Sequence, residues 1–170
     1  MPVDGEQSGG VGVEASGGYA LLPAGSCHCG AVQVDLRLSR PPAELRLRAC
    51  RCDFCRHRGT RTIADPQGQA TIRASGPGML TRYRFGLRTA DYLLCADCGT
   101  YIAAVQPGEP SIAVVNVGGL GVPEFEGREA DPVSYGGETV EARIARRRGY
   151  WMPLSFAFTD RVAPPLAEAV

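Results

Sequence analysis

The sequence has no long apolar run and no surplus of charge of either sign. No stretch approaches the roughly 18 to 20 apolar residues that a membrane-crossing helix needs. The opening segment, MPVDGEQSGGVGVEASGG, has neither a basic n-region nor a continuous apolar h-region, so no secretory signal is expected. Its 18 basic and 18 acidic residues give a formal net charge of +0. That balance removes any global electrostatic reason to expect nucleic acid or an anionic membrane as partner. These absences predict a cytoplasmic protein whose cysteines face a reducing environment, where stable disulfides are rare. An odd count of seven cysteines also fits poorly with a closed disulfide framework.

What is present suits one domain. A chain of 170 residues can bury a real core, and 44% hydrophobic against 21% charged residues marks a globular composition. Glycine (22) and proline (13) favour short strands and turns over long helices. Residues 1–18 are Gly/Ser-rich without periodicity and are expected to be a disordered leader. The folded domain that carries all seven cysteines is expected over 19–158, with a flexible tail at 159–170. Val32, Val34, Leu36 and Leu38 alternate with polar residues as in a half-buried strand, and Leu45, Leu47 and Ala49 alternate again into Cys50. Strand-like pieces follow at 70–74, 80–85, 91–95, 100–105 and 112–117. A helix is expected from Glu138 to Arg148, with Val140, Ile144 and Arg147 on one face. The fold class is therefore mainly β, with short helical turns and one late helix.

Three clusters hold every cysteine: Cys27-His28-Cys29, Cys50-Arg51-Cys52-Asp53-Phe54-Cys55 and Cys95-Ala96-Asp97-Cys98. A C-x-x-C turn aims two thiolates at one ion, and the glycine after Cys98 allows the positive φ such a turn often needs. Zinc prefers a tetrahedron of ligands, closed by protein groups in structural sites and left open at one position in catalytic ones. The simplest division of seven is four plus three. Cys27, Cys29, Cys95 and Cys98 would form a closed structural site. Cys50, Cys52 and Cys55 would hold a second zinc with a vacancy, giving an expected two zinc ions per chain. The competing reading is two structural sites, the second completed by His57, although its spacing from Cys55 is tight. His28 is expected to point outward. Arg51, Arg56 and Arg58 crowd the central cluster, either offsetting thiolate charge or receiving substrate carboxylates. The basic run Arg143, Arg146, Arg147 and Arg148 is expected to be solvated at the end of the late helix.

The segment Gly25 to Val32 (GSCHCGAV), then Cys50-x-Cys52-x-x-Cys55-Arg56, then Cys95-x-x-Cys98-Gly99-Thr100, resembles the glutathione-dependent formaldehyde-activating enzyme family, which includes centromere protein V. The stretch from Glu138 through Trp151 and Pro153 also resembles the C-terminal portion of bacterial members. The resemblance implies several coiled antiparallel β-sheets around zinc, a β-tent. It implies the same four-plus-three division, with Cys50, Cys52 and Cys55 catalytic. The implied reaction joins a small thiol such as glutathione to an aldehyde, as in S-hydroxymethylglutathione synthesis, a carbon–sulfur lyase reaction. Departures from the family pattern are Arg51, where His or Asn is common, and Asp53-Phe54, where a small residue follows the second cysteine. Asp53 is read as a cap on a neighbouring amide or as a residue that reshapes the substrate pocket. The alternative to an enzyme is a non-catalytic zinc module for protein or nucleic-acid interaction. The thiol, the aldehyde and homo-oligomerisation are left open.

Overall fold

The computed structural model describes residues 20–159. The expected leader, and the expected tail beyond its first residue, lie outside them. Ten strands and two α-helices occur among the described residues. The first part of the chain holds β1 (Ala20–Ser26), β2 (Val32–Leu38), β3 (Arg48–Cys50), α1 (Asp53–His57) and β4 (Gln69–Ala74). Then come β5 (Leu80–Tyr83), β6 (Asp91–Cys95), β7 (Tyr101–Gln106), β8 (Ile112–Val115) and β9 (Asp131–Val133). The chain closes with α2 (Val140–Tyr150) and β10 (Met152–Phe158). Short 3-10 turns at Pro42–Glu44, Pro77–Met79 and Pro123–Phe125 each start on a proline, whose fixed φ and missing N–H suit a first helical position. The mainly β architecture with a late helix is the expected one.

Eight strands lie in the order β1-β2-β4-β10-β8-β7-β6-β5, and β3 pairs with β9 apart from them. Most neighbours are antiparallel, but β10 runs parallel to β4, and β3 runs parallel to β9. β10 is the seam. Its first residues, Met152 and Pro153, pair with β8, while Leu154 to Phe158 pair with β4. Both parallel pairings join segments distant in sequence, so no turn signal announces them.

The eight-stranded array must curl. Neighbouring strands sit about 4.8 Å apart, so a flat sheet would hold β2 and β6 roughly 24 Å from each other. Yet the thiols of Cys29, at the β1–β2 turn, and Cys95, at the end of β6, are 3.6 Å apart. The curl encloses the main core, where Leu36, Ile63, Ile72, Ile102 and Met152 are completely buried. A smaller apolar cluster of Ala64, Ala90, Tyr101, Ala104 and Trp151 packs with Phe54 and Tyr92.

The alternation at Leu45, Leu47 and Ala49 yields less strand than expected. Leu45 and Leu47 are buried, but pairing begins only at Arg48. The Arg128 guanidinium donates to the carbonyls of Pro42, Ala43 and Leu45, so a side chain satisfies backbone groups that a ladder would otherwise take. At the other end of the chain, α2 starts two residues later than expected because Thr139 is its N-cap, accepting from the Ala142 amide at 3.2 Å.

Candidate metal centres and the cavity beside them

Two hairpin ends build the four-sulfur group, and they are built alike. The Cys27 amide bonds the Val32 carbonyl, and the Cys95 amide bonds the Thr100 carbonyl, each at 2.9 Å. Inside each turn a glycine amide returns to the first cysteine's carbonyl, Gly30 to Cys27 and Gly99 to Cys95, both at 3.0 Å. Both glycines have positive φ, +80° and +71°, a conformation that a Cβ would strain. The turns leave further donors for sulfur. The Val32 amide lies 3.3 Å from Cys27 Sγ, and the Thr100 hydroxyl 3.2 Å from Cys98 Sγ.

All four sulfurs lie within 4.8 Å of one another. Cys27 and Cys29 Sγ are 3.6 Å apart, as are Cys29 and Cys95 Sγ. With Zn–S near 2.3 Å, a tetrahedron puts its sulfurs about 3.8 Å apart, so the spacing suits zinc. Free thiols would gain little from such crowding in a part-buried position.

The second group is local. Cys50 ends β3, Cys52 is the residue before α1, and Cys55 sits one turn into that helix. Their sulfurs also lie within 4.8 Å of one another. Hydrogen bonding from Cys55 holds the Cys50 thiol down at about 6, while the same bond and burial push Cys55 up. Ionisation of one sulfur thus opposes ionisation of the next, an arrangement that a bound cation relieves. Both sulfur-only donor sets could hold metal ions and are consistent with zinc.

Neighbours predicted from sequence are distributed differently. His28 is exposed, as expected, and His57 is exposed at the end of α1 and in neither sulfur group. Asp53 is not a cap: it makes a 3.8 Å ion pair with Arg56 on the exposed helix surface. Arg58 lies over the Phe54 ring at 4.1 Å. Of the three arginines expected near the cluster, Arg51 lines the adjoining cavity and the other two do not.

That cavity, about 590 Å³, is lined by Cys50 and Cys52 together with Arg46, Arg48, Arg51, Arg143, Arg146 and Arg147. Among the described residues, no Asp or Glu lines it. Arg46 pairs with Asp131 at 2.6 Å. Glu138 accepts from Arg143 Nε at 3.1 Å, and from Arg146 Nε and Nη2 at 2.5 and 2.9 Å. Arg143 also donates to the Tyr135 carbonyl, and Arg146 covers the Tyr135 ring at 3.7 Å. Arg48, Arg51 and Arg147 have no carboxylate partner among the described residues. Arg147 is only 4% exposed, donates to the Thr89 carbonyl and hydroxyl, and lies 4.6 Å over the Trp151 ring.

The basic run of α2 is therefore not a solvated face. Arg143, Arg146 and Arg147 turn toward the cavity, and only Arg148 of the four is exposed. Apolar periodicity locates this helix but misjudges its inward face, which presents guanidinium groups. The useful signal is Glu138, positioned before the helix to hold two of them.

The cavity is also lined by Tyr92, Tyr101, Ala104 and Val114 of the sheet, by Phe85 of the loop after β5, and by Trp151. Burial pushes Tyr92 up to about 12 and Tyr101 well above the ordinary phenol value, so both phenols remain protonated donors at neutral pH. Phe54, between Cys52 and Cys55, packs its ring on Tyr92 and Tyr101, with centroids at 4.9 and 5.2 Å. Nothing in a single sequence would have gathered these aromatics, which come from five separate elements or turns.

The site is thus a curled β domain with a four-sulfur and a three-sulfur group that could each hold a metal ion, the latter beside a cationic cavity. Residues 22–132 match the family model of the glutathione-dependent formaldehyde-activating enzyme, and the chain belongs to that family. A structurally characterised Rhodobacter sphaeroides protein is 35% identical, with a TM-score of 0.49. The match covers 65% of this chain and 100% of that one. The arginine-bearing helix α2 lies beyond the residues that the family model matches. Among the described residues, no helix is long and apolar enough to cross a membrane.

Proposed function

We propose that this protein is a zinc-dependent carbon–sulfur lyase that reversibly joins a small anionic thiol to an aldehyde, in the manner of S-hydroxymethylglutathione synthesis. The observation that carries the reading is Cys50 and Cys52 facing the same cavity as three arginines without carboxylate partners. Such a cavity recruits a ligand that brings both a sulfur and carboxylates. Glutathione is the leading thiol, since the family is named for it.

In this reading Cys27, Cys29, Cys95 and Cys98 hold a structural zinc, and Cys50, Cys52 and Cys55 hold the second one. Zinc at the three-sulfur group would supply the Lewis acidity that keeps a thiol ionised at neutral pH. Arg48, Arg51 and Arg147 bind and orient the thiol's carboxylates. As the carbon–sulfur bond forms, the carbonyl π pair moves to oxygen, which takes up one proton; no electrons enter or leave. Tyr92 and Tyr101 line the same cavity as neutral hydrogen-bond donors suited to that developing alkoxide. Turning α2's arginines inward also favours a small anionic ligand over a nucleic-acid surface, which would need them outside.

The test is proton NMR exchange between a thiol, an aldehyde and their hemithioacetal, with and without the zinc-loaded protein. Glutathione with formaldehyde should exchange faster with the protein, and Cys52→Ser should abolish the gain. Exchange no faster than in buffer, for glutathione and other small anionic thiols alike, would refute the lyase reading.

A further inference from the structure

Resting on that reading, we propose that the aldehyde component carries an apolar substituent of about phenyl size, so that the preferred substrate is larger than formaldehyde. The cavity's guanidinium groups and one cluster of its apolar residues come from different elements. All its guanidinium groups come from β3, its flanking residues and α2, whereas Phe85, Tyr92, Tyr101, Ala104 and Val114 come from the sheet or the loop after β5. Anionic groups of the thiol are satisfied by the guanidinium groups and gain nothing from the apolar cluster.

The apolar side is tied to the sulfur cluster. Phe54 lies between Cys52 and Cys55 and packs directly on the two tyrosines. Phe85 and Tyr92 are in close contact, with centroids 4.4 Å apart. A substituent on a sulfur held at Cys50 and Cys52 therefore lies against this wall. A hydroxymethyl group is small and polar, and leaves such a wall wet. An aryl or similarly sized alkyl group covers it, and the 590 Å³ volume is ample for a drug-sized ligand. Apolar walls in a concave site supply affinity when a ligand displaces their water. The chemistry is unchanged from that above: one carbon–sulfur bond forms, and the carbonyl oxygen takes the proton.

Trp151 is the single tryptophan and lines the cavity, so its fluorescence reports occupancy without any turnover. The experiment titrates the zinc-loaded full chain with S-methylglutathione and S-benzylglutathione. Both are thioethers whose sulfur cannot ionise, so their difference reads the cavity wall. S-benzylglutathione should bind at least about tenfold more tightly, equivalent to about 1.4 kcal/mol. Phe85→Ala, which trims a part-exposed side chain, should narrow that ratio several-fold. Equal affinities would overturn the inference and leave the thiol reading standing. A large ratio untouched by Phe85→Ala would overturn the assignment to this wall. Failure of both thioethers to bind would overturn the inference together with the reading beneath it.

Discussion

Replacing Cys98 by serine should destabilise this domain far more than replacing Cys52, because the two sulfur groups close loops of very different length. Through the pair Cys29 and Cys95, the four-sulfur group spans 66 residues of chain. Treated as a cross-link of that length, an ion there removes loop-closure entropy worth about 4 kcal/mol. It also clamps a curl that brings together strands otherwise held by hydrogen bonds only to their neighbours. Cys50, Cys52 and Cys55 already share one tight segment whose closure the fold provides anyway, and a cross-link within it contributes at most about 2 kcal/mol. Total stabilities are typically only about 5–15 kcal/mol, so losing the long closure removes a large share of what holds the domain folded. At roughly 2–4 °C per kcal/mol for a domain of this size, Cys98→Ser should lower the thermal midpoint by about 8–16 °C as the ion that makes this closure is lost. Cys52→Ser should lower it by a few degrees. Cys98 is a suitable probe because it is only partly buried, so lost core packing adds little. Circular dichroism melts of the zinc-loaded proteins, with bound zinc counted by a colorimetric chelator, make the measurement. Equal shifts for the two variants would refute the loop argument and make both groups equally structural.

Further outcomes follow from the arginine network and from the buried acid on β6. Glu138→Gln should release Arg143 and Arg146 from their shared anchor and raise KM for glutathione about tenfold with a smaller change in kcat; steady-state kinetics distinguish this positioning effect from loss of chemistry. Asp91 is buried, and the guanidinium of Arg84, aided by Arg82, holds its carboxyl below the usual range. Its ion pairs therefore stabilise the fold above the ordinary carboxylate pKa, and that contribution is lost as pH falls through the lowered value. Urea unfolding from neutral pH down to about pH 3 should show a loss of stability in wild type that is shallower in Asp91→Asn; identical slopes would contradict it.

Much of the architecture was legible locally. Val32 to Leu38 and Asp91 to Cys95 read as strands over the bounds they occupy, since side chains alternating between a buried and an open face impose a two-residue period. The knuckle glycine after Cys98 was legible for a steric reason, its φ being closed to most side chains. β9 and β10 were not legible. Each is held by a parallel partner far away in the chain, and Asp131-Pro132-Val133 has no strand-like pattern of its own.

By itself, the sequence determined the cysteine clusters, the β-rich class, the late helix and a set of thiols too odd in number and too closely spaced for a disulfide frame. Short-range spacing and steric limits suffice for all of these. The tertiary structure alone decided that the sheet curls until Cys29 meets Cys95, that Arg147 is buried rather than solvated, and that arginines and aromatics line one cavity together. Those features depend on which distant segments pack together. The energy that selects them belongs to the whole core and to no local window of the chain.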